Sequence, residues 1–391
     1  MPWKEALLMD QRREFIIGYS RGLWSVTELC DRFGISRRTG YKWIERYELE
    51  GPGGLADRSR RPHTSPFATP EPIVKALLDL RRRRPGWSAK KLLWQLGRRE
   101  PEWPLPAVST AQAILKRHGL VAPRGRRRRK NLHPGRPRTR SGAPNDIWTA
   151  DFKGEFRTRD GQYCYPLTIV DDYSRYVLAC DAFLRPSYGV TAASFRRVFR
   201  TYGLPQVIRT DNGAPFAHSF SLARLSPLAV WWLHLGITPE LIEPARPDQN
   251  GRHERFHRTL KSEATLPPSV SRAAQQRRFT RYRRDFNENR PHEALGQKPP
   301  GEVYKPSKRQ MPKSLPTFSY PAHFEQRRVS GNRYVAFHGR QIPVSSALVG
   351  ETLGLEERDD GQWIVYIGPR SIGLLLEKEG RIEGLYDHKT L

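Results

Sequence analysis

Apolar residues in the middle of the chain recur with the periods of both strands and helices. Three short apolar runs, at residues 146–152, 163–171 and 175–183, have the length and the β-branched or aromatic content of buried strands. Farther on the predicted segments are helix 191–202, strand 205–211, helix 222–235, strand 237–242, and helices 250–265 and 271–287. Neighbouring strands followed by alternating helices and strands indicate one α/β domain over residues 145–305.

The N-terminal pattern is helical. Residues 5–50 predict three helices, with a turn at Gly34 and with Ser36 at the N-cap of a basic third helix. This arrangement is typical of a helix-turn-helix domain, which we assign to residues 1–50. The basic third helix is the second helix of the motif and would enter the major groove of DNA. The candidate DNA contacts on that helix are Arg37, Arg38 and Lys42. A plain three-helix module with solvated cations fits the same pattern, and Trp43 is expected in its core.

A second helical module is predicted at residues 71–122, after a linker at 51–70 that is rich in Gly, Pro, Ser and Arg. Its helices are expected at 73–83, 89–96 and 111–118. Ser88 is the expected N-cap of the second helix, and Ser109 with Thr110 that of the third. The candidate DNA contacts in this module are Lys90 and Lys91.

A basic linker is predicted at residues 123–144. Residues 124–140 hold nine Arg or Lys and no acidic residue, so this stretch cannot pack into a core. Its candidate DNA contacts are Arg127, Arg128, Arg136 and Arg138. The sequence Gly-Arg-Pro-Arg at 135–138 could lie in an A·T-rich minor groove, and a nonspecific phosphate tether is an equal alternative.

The C-terminal region alternates short apolar segments with turns. Five short strands over residues 320–378 predict a small β-barrel, and a purely structural packing role is its alternative.

Composition limits the partner to a polyanion. The 391 residues carry 68 Lys and Arg against 40 Asp and Glu, a formal net charge of +28, which attracts phosphates in a salt-dependent way. The sequence lacks an apolar run long enough to span a bilayer and a phosphate-binding P-loop motif, so we expect no membrane and no nucleotide cofactor. Three scattered cysteines predict a reducing, cytoplasmic setting instead of a disulfide framework.

Three acidic residues stand at positions suited to one metal site. Asp151 lies in a predicted strand, Asp211 closes another, and Glu254 lies on a basic helix with Arg258 and Lys261 on the same face. Two strand-end Asp residues and a helical Glu, in a protein this basic, suggest a divalent-metal site that acts on nucleic-acid phosphates.

The same helix contains His253-Glu254-Arg255-Phe256-His257, which has the H-E-x-x-H form of zinc metalloproteases. That chemistry needs two histidines on an apolar, buried helix and a third ligand downstream. The surrounding arginines disfavour it, and it leaves Asp151 and Asp211 without a role.

Three sequence motifs together resemble the DDE integrase/transposase superfamily, and are most similar to transposases of bacterial insertion sequences. They are Trp148-Thr149-Ala150-Asp151, Thr210-Asp211-Asn212-Gly213 and residues 250–261 around Glu254. Residues 287–296 are similar to the segment that closes the catalytic domain of that family, and residues 71–122 look like its second helix-turn-helix.

The resemblance implies a multidomain α+β protein: N-terminal helix-turn-helix modules, a ribonuclease H-like catalytic domain and an SH3-like barrel. It implies that Asp151, Asp211 and Glu254 are catalytic residues that hold two Mg²⁺ or Mn²⁺ ions per active site, and that Arg258 and Lys261 contact DNA. The expected reaction is hydrolysis and strand transfer on double-stranded DNA, both element ends and target, by a homo-oligomer at the bacterial nucleoid. The alternative function is a helix-turn-helix DNA-binding regulator with an inactive integrase fold.

Overall fold

The structure is a computed structural model that describes residues 8–58, 68–121, 139–218, 221–242, 251–359 and 361–384. The chain divides into two compact units, Met1–Thr69 and Pro70–Leu391. The predicted contacts Arg127, Arg128, Arg136 and Arg138 lie outside the described residues. Among the described helices none is long and apolar enough to cross a membrane.

The first unit is a three-helix module. Its helices are α1 (Leu8–Ser20), α2 (Val26–Arg32) and α3 (Arg37–Glu50). Ser36 is the N-cap of α3, as predicted, and its side chain accepts a hydrogen bond from the amide of Thr39 at 3.3 Å. Trp43 is buried, also as predicted. Gly51–Leu55, placed by the sequence in a linker, form a 3₁₀ turn with Leu55 buried in the core of this unit.

The second unit begins with another helical module. Its helices are α4 (Glu71–Arg83), α5 (Ala89–Arg99) and α6 (Val108–Arg117). Ser88 occupies the N-cap of α5, but its side chain makes no capping hydrogen bond. Helix α6 begins earlier than predicted, with Ala107 as its N-cap, so Ser109 and Thr110 lie within its first turn.

A mixed sheet forms the centre of the second unit. Its strands are β1 (Ile147–Phe152), β2 (Phe156–Arg157), β3 (Tyr163–Asp171), β4 (Val177–Phe183), β5 (Val207–Thr210) and β6 (Thr238–Leu241). Strand β3 pairs antiparallel with β1, β2 and β4, whereas β1, β5 and β6 pair in parallel. Antiparallel strands followed by parallel ones are the arrangement that the order of predicted segments indicated.

Helices cover the sheet on both faces. They are α7 (Tyr188–Tyr202), α8 (Pro227–His234), α9 (Gly251–Leu260), α10 (Arg272–Asn289) and the short α11 (Pro300–Val303). Trp148 of β1 packs with Phe195 and Phe199 of α7 and Trp232 of α8 in one core. A second core contains Phe256 and Leu260 of α9 with Phe279 and Phe286 of α10. The second core therefore holds α9 against the sheet, since it also contains Val170 of β3 and Val177 of β4.

The C-terminal region forms a five-stranded antiparallel sheet and a separate hairpin. The strands are β7 (Glu325–Arg328), β8 (Tyr334–Phe337), β9 (Arg340–Pro343), β10 (Thr352–Asp359), β11 (Gln362–Ile367), β12 (Arg370–Leu376) and β13 (Arg381–Gly384). The sheet has the order β13-β12-β11-β10-β7, and the hairpin joins β8 to β9. All five predicted strands are present, but closure of the described strands into a barrel is not confirmed.

Candidate active site

Sheet register brings the two aspartates together. Ala150 of β1 pairs in parallel with Thr210 of β5. The residue after each member of this pair is an acid: Asp151 within β1 and Asp211 directly after β5. Both residues therefore lie at the carboxyl-terminal ends of neighbouring parallel strands. Parallel pairing therefore supplies the first half of the site.

Helix α9 supplies the third acid. Its buried face carries Phe256 and Leu260, which leaves Glu254 exposed toward the site. The pKa of Asp151 is raised to about 7, first by burial, then by the negative charge of Asp211, with a further contribution from Glu254. Asp211 and Glu254, both distant along the chain, therefore lie within electrostatic reach of Asp151.

The arrangement leaves an oxygen without a partner. Oδ1 of Asp211 is buried and makes no hydrogen bond with the described residues, and burial raises the pKa of this carboxyl. Burying carboxylates side by side is unfavourable unless a cation or a proton neutralises them. Carboxylate oxygens are the ligands that Mg²⁺ and Mn²⁺ prefer, so the donor set fits a divalent ion.

Two threonines of the sheet and two histidines of α9 form a hydrogen-bond network next to Asp151. The hydroxyl of Thr149 lies 2.7 Å from Nδ1 of His253. The hydroxyl of Thr168 lies 2.7 Å from Nε2 of both His253 and His257. Nδ1 of His257 faces the Asp151 carboxylate at 3.7 Å. Both histidine pKa values are lowered, that of His253 to about 3, chiefly by burial, so the imidazoles are neutral.

This network also bears on the H-E-x-x-H pattern. The two histidines contact threonines of the sheet, whereas the arginines of α9 are exposed to solvent. The cation that lowers the pKa of His257, after burial and His253, is Lys153 and not an arginine of α9. Ligand atoms of Asp151, His253 and His257 all lie within 4.8 Å of one another. However, both ring nitrogens of His253 already contact threonine hydroxyls. The sequence analysis missed Thr149 and Thr168, although Thr149 lies two residues before Asp151.

The predicted DNA contacts lie in different settings. Arg37, Arg38 and Lys42 are exposed on α3 of the first unit. Arg258 is exposed on α9, and Lys261 is exposed directly after it, where a π-helical segment begins and the regular helical spacing ends.

The two lysines of α5 differ from each other. Lys90 is exposed and lies 3.5 Å from Glu293, whereas Lys91 is partly buried with a pKa lowered to about 8 by burial and by Arg290. Lys91 is therefore not a simple surface cation.

Comparison with known protein families identifies integrase core domains in the part of the chain that forms the mixed sheet and α9. Residues 142–247 and 235–300 each match a family described as integrase core domain. Residues 11–63 match a helix-turn-helix domain, and residues 39–115 a homeodomain-like domain. The chain belongs to the DDE transposase/integrase superfamily.

Relatives come from mobile elements and retroviruses. The uncharacterised 39.2 kDa protein of insertion element IS476 from Xanthomonas euvesicatoria is 32% identical over 183 residues, 45% of this chain and 50% of that protein. The uncharacterised 31.7 kDa protein of insertion element IS407 from Burkholderia multivorans is 30% identical over 192 residues, 48% of this chain and 66% of that protein. The Gag-Pol polyprotein of baboon endogenous virus is 34% identical over 134 residues, 34% of this chain and 7% of the polyprotein. The matched part of this chain thus spans between half and two thirds of the length of the two insertion-element proteins.

Proposed function

We propose that this protein is the transposase of a bacterial insertion sequence, which cuts and joins DNA at the element ends. The observation that supports this most is the register of β1 and β5, which brings Asp151 and Asp211 to the same end of neighbouring strands. A regulator that binds DNA without cutting has no need to bury two carboxylates together, because their repulsion destabilises the fold.

Asp151, Asp211 and Glu254 are the proposed catalytic residues and metal ligands, for two Mg²⁺ or Mn²⁺ ions. When bound, the ions supply Lewis-acid activation of the attacking oxygen and neutralise charge at the departing 3′ oxygen. Phosphodiester hydrolysis frees a 3′ hydroxyl at the element end, and attack of that hydroxyl on target DNA joins the strands. The first step breaks one phosphodiester bond with water. The joining step forms one phosphodiester bond, breaks another in the target strand and releases a target 3′ hydroxyl, so neither step requires a nucleotide cofactor.

The chain's own residues hold the DNA and orient the carboxylates. Arg258 and Lys261 are exposed next to Glu254, where their charges would hold strand phosphates. The neutral imidazoles of His253 and His257 both contact the Thr168 hydroxyl. His257 also faces the Asp151 carboxylate and therefore holds it in position without adding a positive charge.

The remaining modules are proposed to recognise the element. Arg37, Arg38 and Lys42 of α3, and Lys90 and Lys91 of α5, are proposed to bind terminal DNA, and the C-terminal sheet to be an SH3-like module for DNA or a sister subunit. Joining two element ends requires two active sites, so we expect a homo-oligomer on double-stranded DNA in the bacterial cytoplasm, at the nucleoid.

A labelled oligonucleotide that mimics an element end tests the proposal. Strand joining should require Mg²⁺ or Mn²⁺ and fall by more than about 100-fold in Asp211→Asn and Glu254→Gln, since each removes a ligand charge. Glu288→Gln is the matched control, because Glu288 is an exposed acid on α10 outside the site. Metal-independent binding with no joining by the wild-type protein would instead identify the DNA-binding regulator with an inactive fold.

A further inference from the structure

A cavity is lined in part by α9, the helix that carries Glu254. It has a volume of about 460 Å³ and is formed where β1, the β3–β4 turn, α5, α9 and the segment after α10 meet. Its wall shares Thr149 and His253 with the network beneath Asp151, so it adjoins the active site. Phe256 and Phe286 form an apolar side.

Cations outnumber acids around this cavity. The lining contains five basic side chains, Lys91, Arg175, Arg252, Arg255 and Arg290, against three acids, Asp171, Asp172 and Glu293.

Three of the arginines already have carboxylate partners. Arg252 contacts Asp172 at 2.5 Å, Arg290 contacts Glu263 at 2.7 Å, and Arg175 lies 3.7 Å from Asp172. Lys91 and Arg255 have no ion pair within 4 Å among the described residues. The cavity therefore presents two basic side chains, Lys91 and Arg255, that make no salt bridge with the described residues, although Glu263 and Glu293 act on Lys91 from farther away.

Two buried nitrogens lack a hydrogen-bond partner, and that of Arg175 can only donate. Nη1 of Arg175 is buried without a hydrogen bond among the described residues, and its nearest carboxylate oxygen, on Asp172, is 3.7 Å away. Nε2 of His292 is likewise buried without a partner. A buried donor left unpaired is costly and is rare in native structures.

The backbone holds Arg175 in place at a conformational cost. Arg175 has φ of 65°, in the left-handed region that residues with a side chain seldom adopt. The turn before it is fixed by Asp171, whose carboxylate accepts hydrogen bonds from the amide and hydroxyl of Ser174 at 2.8 and 2.6 Å. Strain of this kind persists where the surrounding structure requires a particular side-chain position.

The basic groups repel one another. Burial, followed by the charge of Arg290, lowers the pKa of Lys91 to about 8. Burial, followed by the charges of Lys91, Arg290 and Arg175, lowers the pKa of His292 to about 3. An anion in the cavity would relieve this repulsion and supply an acceptor for the buried Nη1 of Arg175.

We infer that this cavity binds a phosphate group of a DNA strand, held by Lys91, Arg175 and Arg255. Phosphate offers several acceptor oxygens to cations that converge from different elements. Arg255 directly follows Glu254, so a strand whose phosphate occupied this cavity would run beside the catalytic carboxylates. The volume exceeds what one phosphate needs, and Phe256 and Phe286 can face the attached sugar.

The identification of DNA as the phosphate source rests on the proposed function. A free phosphate is the other source of the same chemistry, and the experiment distinguishes them.

Amine labelling read out by mass spectrometry tests occupancy in the full-length protein. The protein carries Asp211→Asn and is kept in EDTA, so the measurement does not depend on strand joining. Duplex DNA should protect Lys91 from labelling about tenfold, as a charge-assisted contact would. Equal labelling with and without DNA would overturn the inference. If inorganic phosphate protects Lys91 but DNA does not, the assignment to DNA is wrong.

A charge-matched pair of double variants provides an independent measurement. Lys91→Gln with Arg255→Gln should weaken duplex binding about tenfold and reduce the slope of log affinity against log salt by about one, the value for one phosphate. Lys75→Gln with Arg277→Gln removes the same charge at exposed positions on α4 and α10 and should have a smaller effect on both. Equal losses in the two variants would contradict a built site.

Separate controls test whether the double variant folds and whether the proposed function holds. Neither Lys91 nor Arg255 has an ion-pair partner among the described residues, so their replacement should not lower the melting temperature of the DNA-free protein. If the wild type joins no strands but Lys91 is protected, the proposed function fails and the phosphate site stands. If strands are joined and Lys91 is not protected, only the phosphate site fails.

Discussion

The hydroxyl of Thr168 lies 2.7 Å from Nε2 of His257, whose other ring nitrogen faces the Asp151 carboxylate. Since the same hydroxyl also contacts His253, one side chain of β3 fixes both histidines of α9. Strand β3 pairs with β1 and thereby places this hydroxyl beneath the first acid. The position of Asp151 thus depends on a residue outside the three acidic motifs.

Replacing Thr168 with Val should destabilise the protein by about 1–3 kcal/mol, because it leaves buried imidazole nitrogens unpaired. Urea denaturation measures this loss. Thr168→Ser keeps the hydroxyl and should restore most of the stability and the strand-joining rate. If Val and Ser behave alike, the hydroxyl does not position the histidines.

Stability of the metal-free protein should fall as the pH rises from about 4 to about 7. The folded-state pKa of Asp151, about 7, lies above its ordinary value of 3.8, so folding favours the protonated acid. This contribution is complete below the lower value and is lost as the pH rises through the higher one. At about 1.4 kcal/mol per pKa unit, the loss is at most about 4 kcal/mol.

Denaturation in EDTA at several pH values, on wild type and Asp151→Asn, checks this. The variant lacks the titrating group and should show a smaller fall with pH. Parallel curves for the two proteins would exclude Asp151 as the cause.

Mg²⁺ or Mn²⁺ should raise the melting temperature of the wild type. A ligand that binds only the folded state stabilises it by about 2.7 kcal/mol at 100 times its dissociation constant. Asp211→Asn should show little of this increase, because it replaces the carboxylate whose Oδ1 is buried without a partner. Glu288→Gln should respond as the wild type does, and an equal response in Asp211→Asn would place the ion elsewhere.

Gly40→Ala should destabilise the first unit by about 1–3 kcal/mol through overpacking. A Cβ at Gly40 would clash with Sγ of Cys30 and lie 3.1 Å from the Phe15 ring. Hydrogen exchange of residues 8–55 in the full chain measures the effect, and their amides should exchange faster. Gly53→Ala is the control, because a Cβ there meets nothing within 4 Å. Unchanged exchange in Gly40→Ala would show that α2 and α3 can separate at low cost.

The sequence predicted the elements with strong apolar patterns and failed where the pattern was weak. Both strands that it missed in the C-terminal region, β7 and β13, are the polar edges of the five-stranded sheet. An edge strand needs little apolar surface, so its sequence alternates weakly. The N-cap of α6 was predicted wrongly because its N-cap residue is alanine, which has no capping side chain.

For the site, the sequence predicted the elements that carry the acids: Asp211 directly follows strand β5, and Glu254 lies in the amphipathic helix α9. The contacts of Thr168 with α9 could not be predicted, because they join residues 85 and 89 positions apart. The cavity around Lys91 was equally hidden, since it forms only when α5 meets the segment after α10.

The parallel register of β1 and β5 makes the spacing inside these strands intolerant of length changes. One residue inserted between Ile208 and Asp211 would turn the second carboxylate to the opposite face of the sheet. Ile147 and Ile208, both fully buried, would resist any compensating slide. Insertions and deletions that leave both carboxylates in register are therefore confined to the connections beyond the strand ends, where related sequences are free to vary in length.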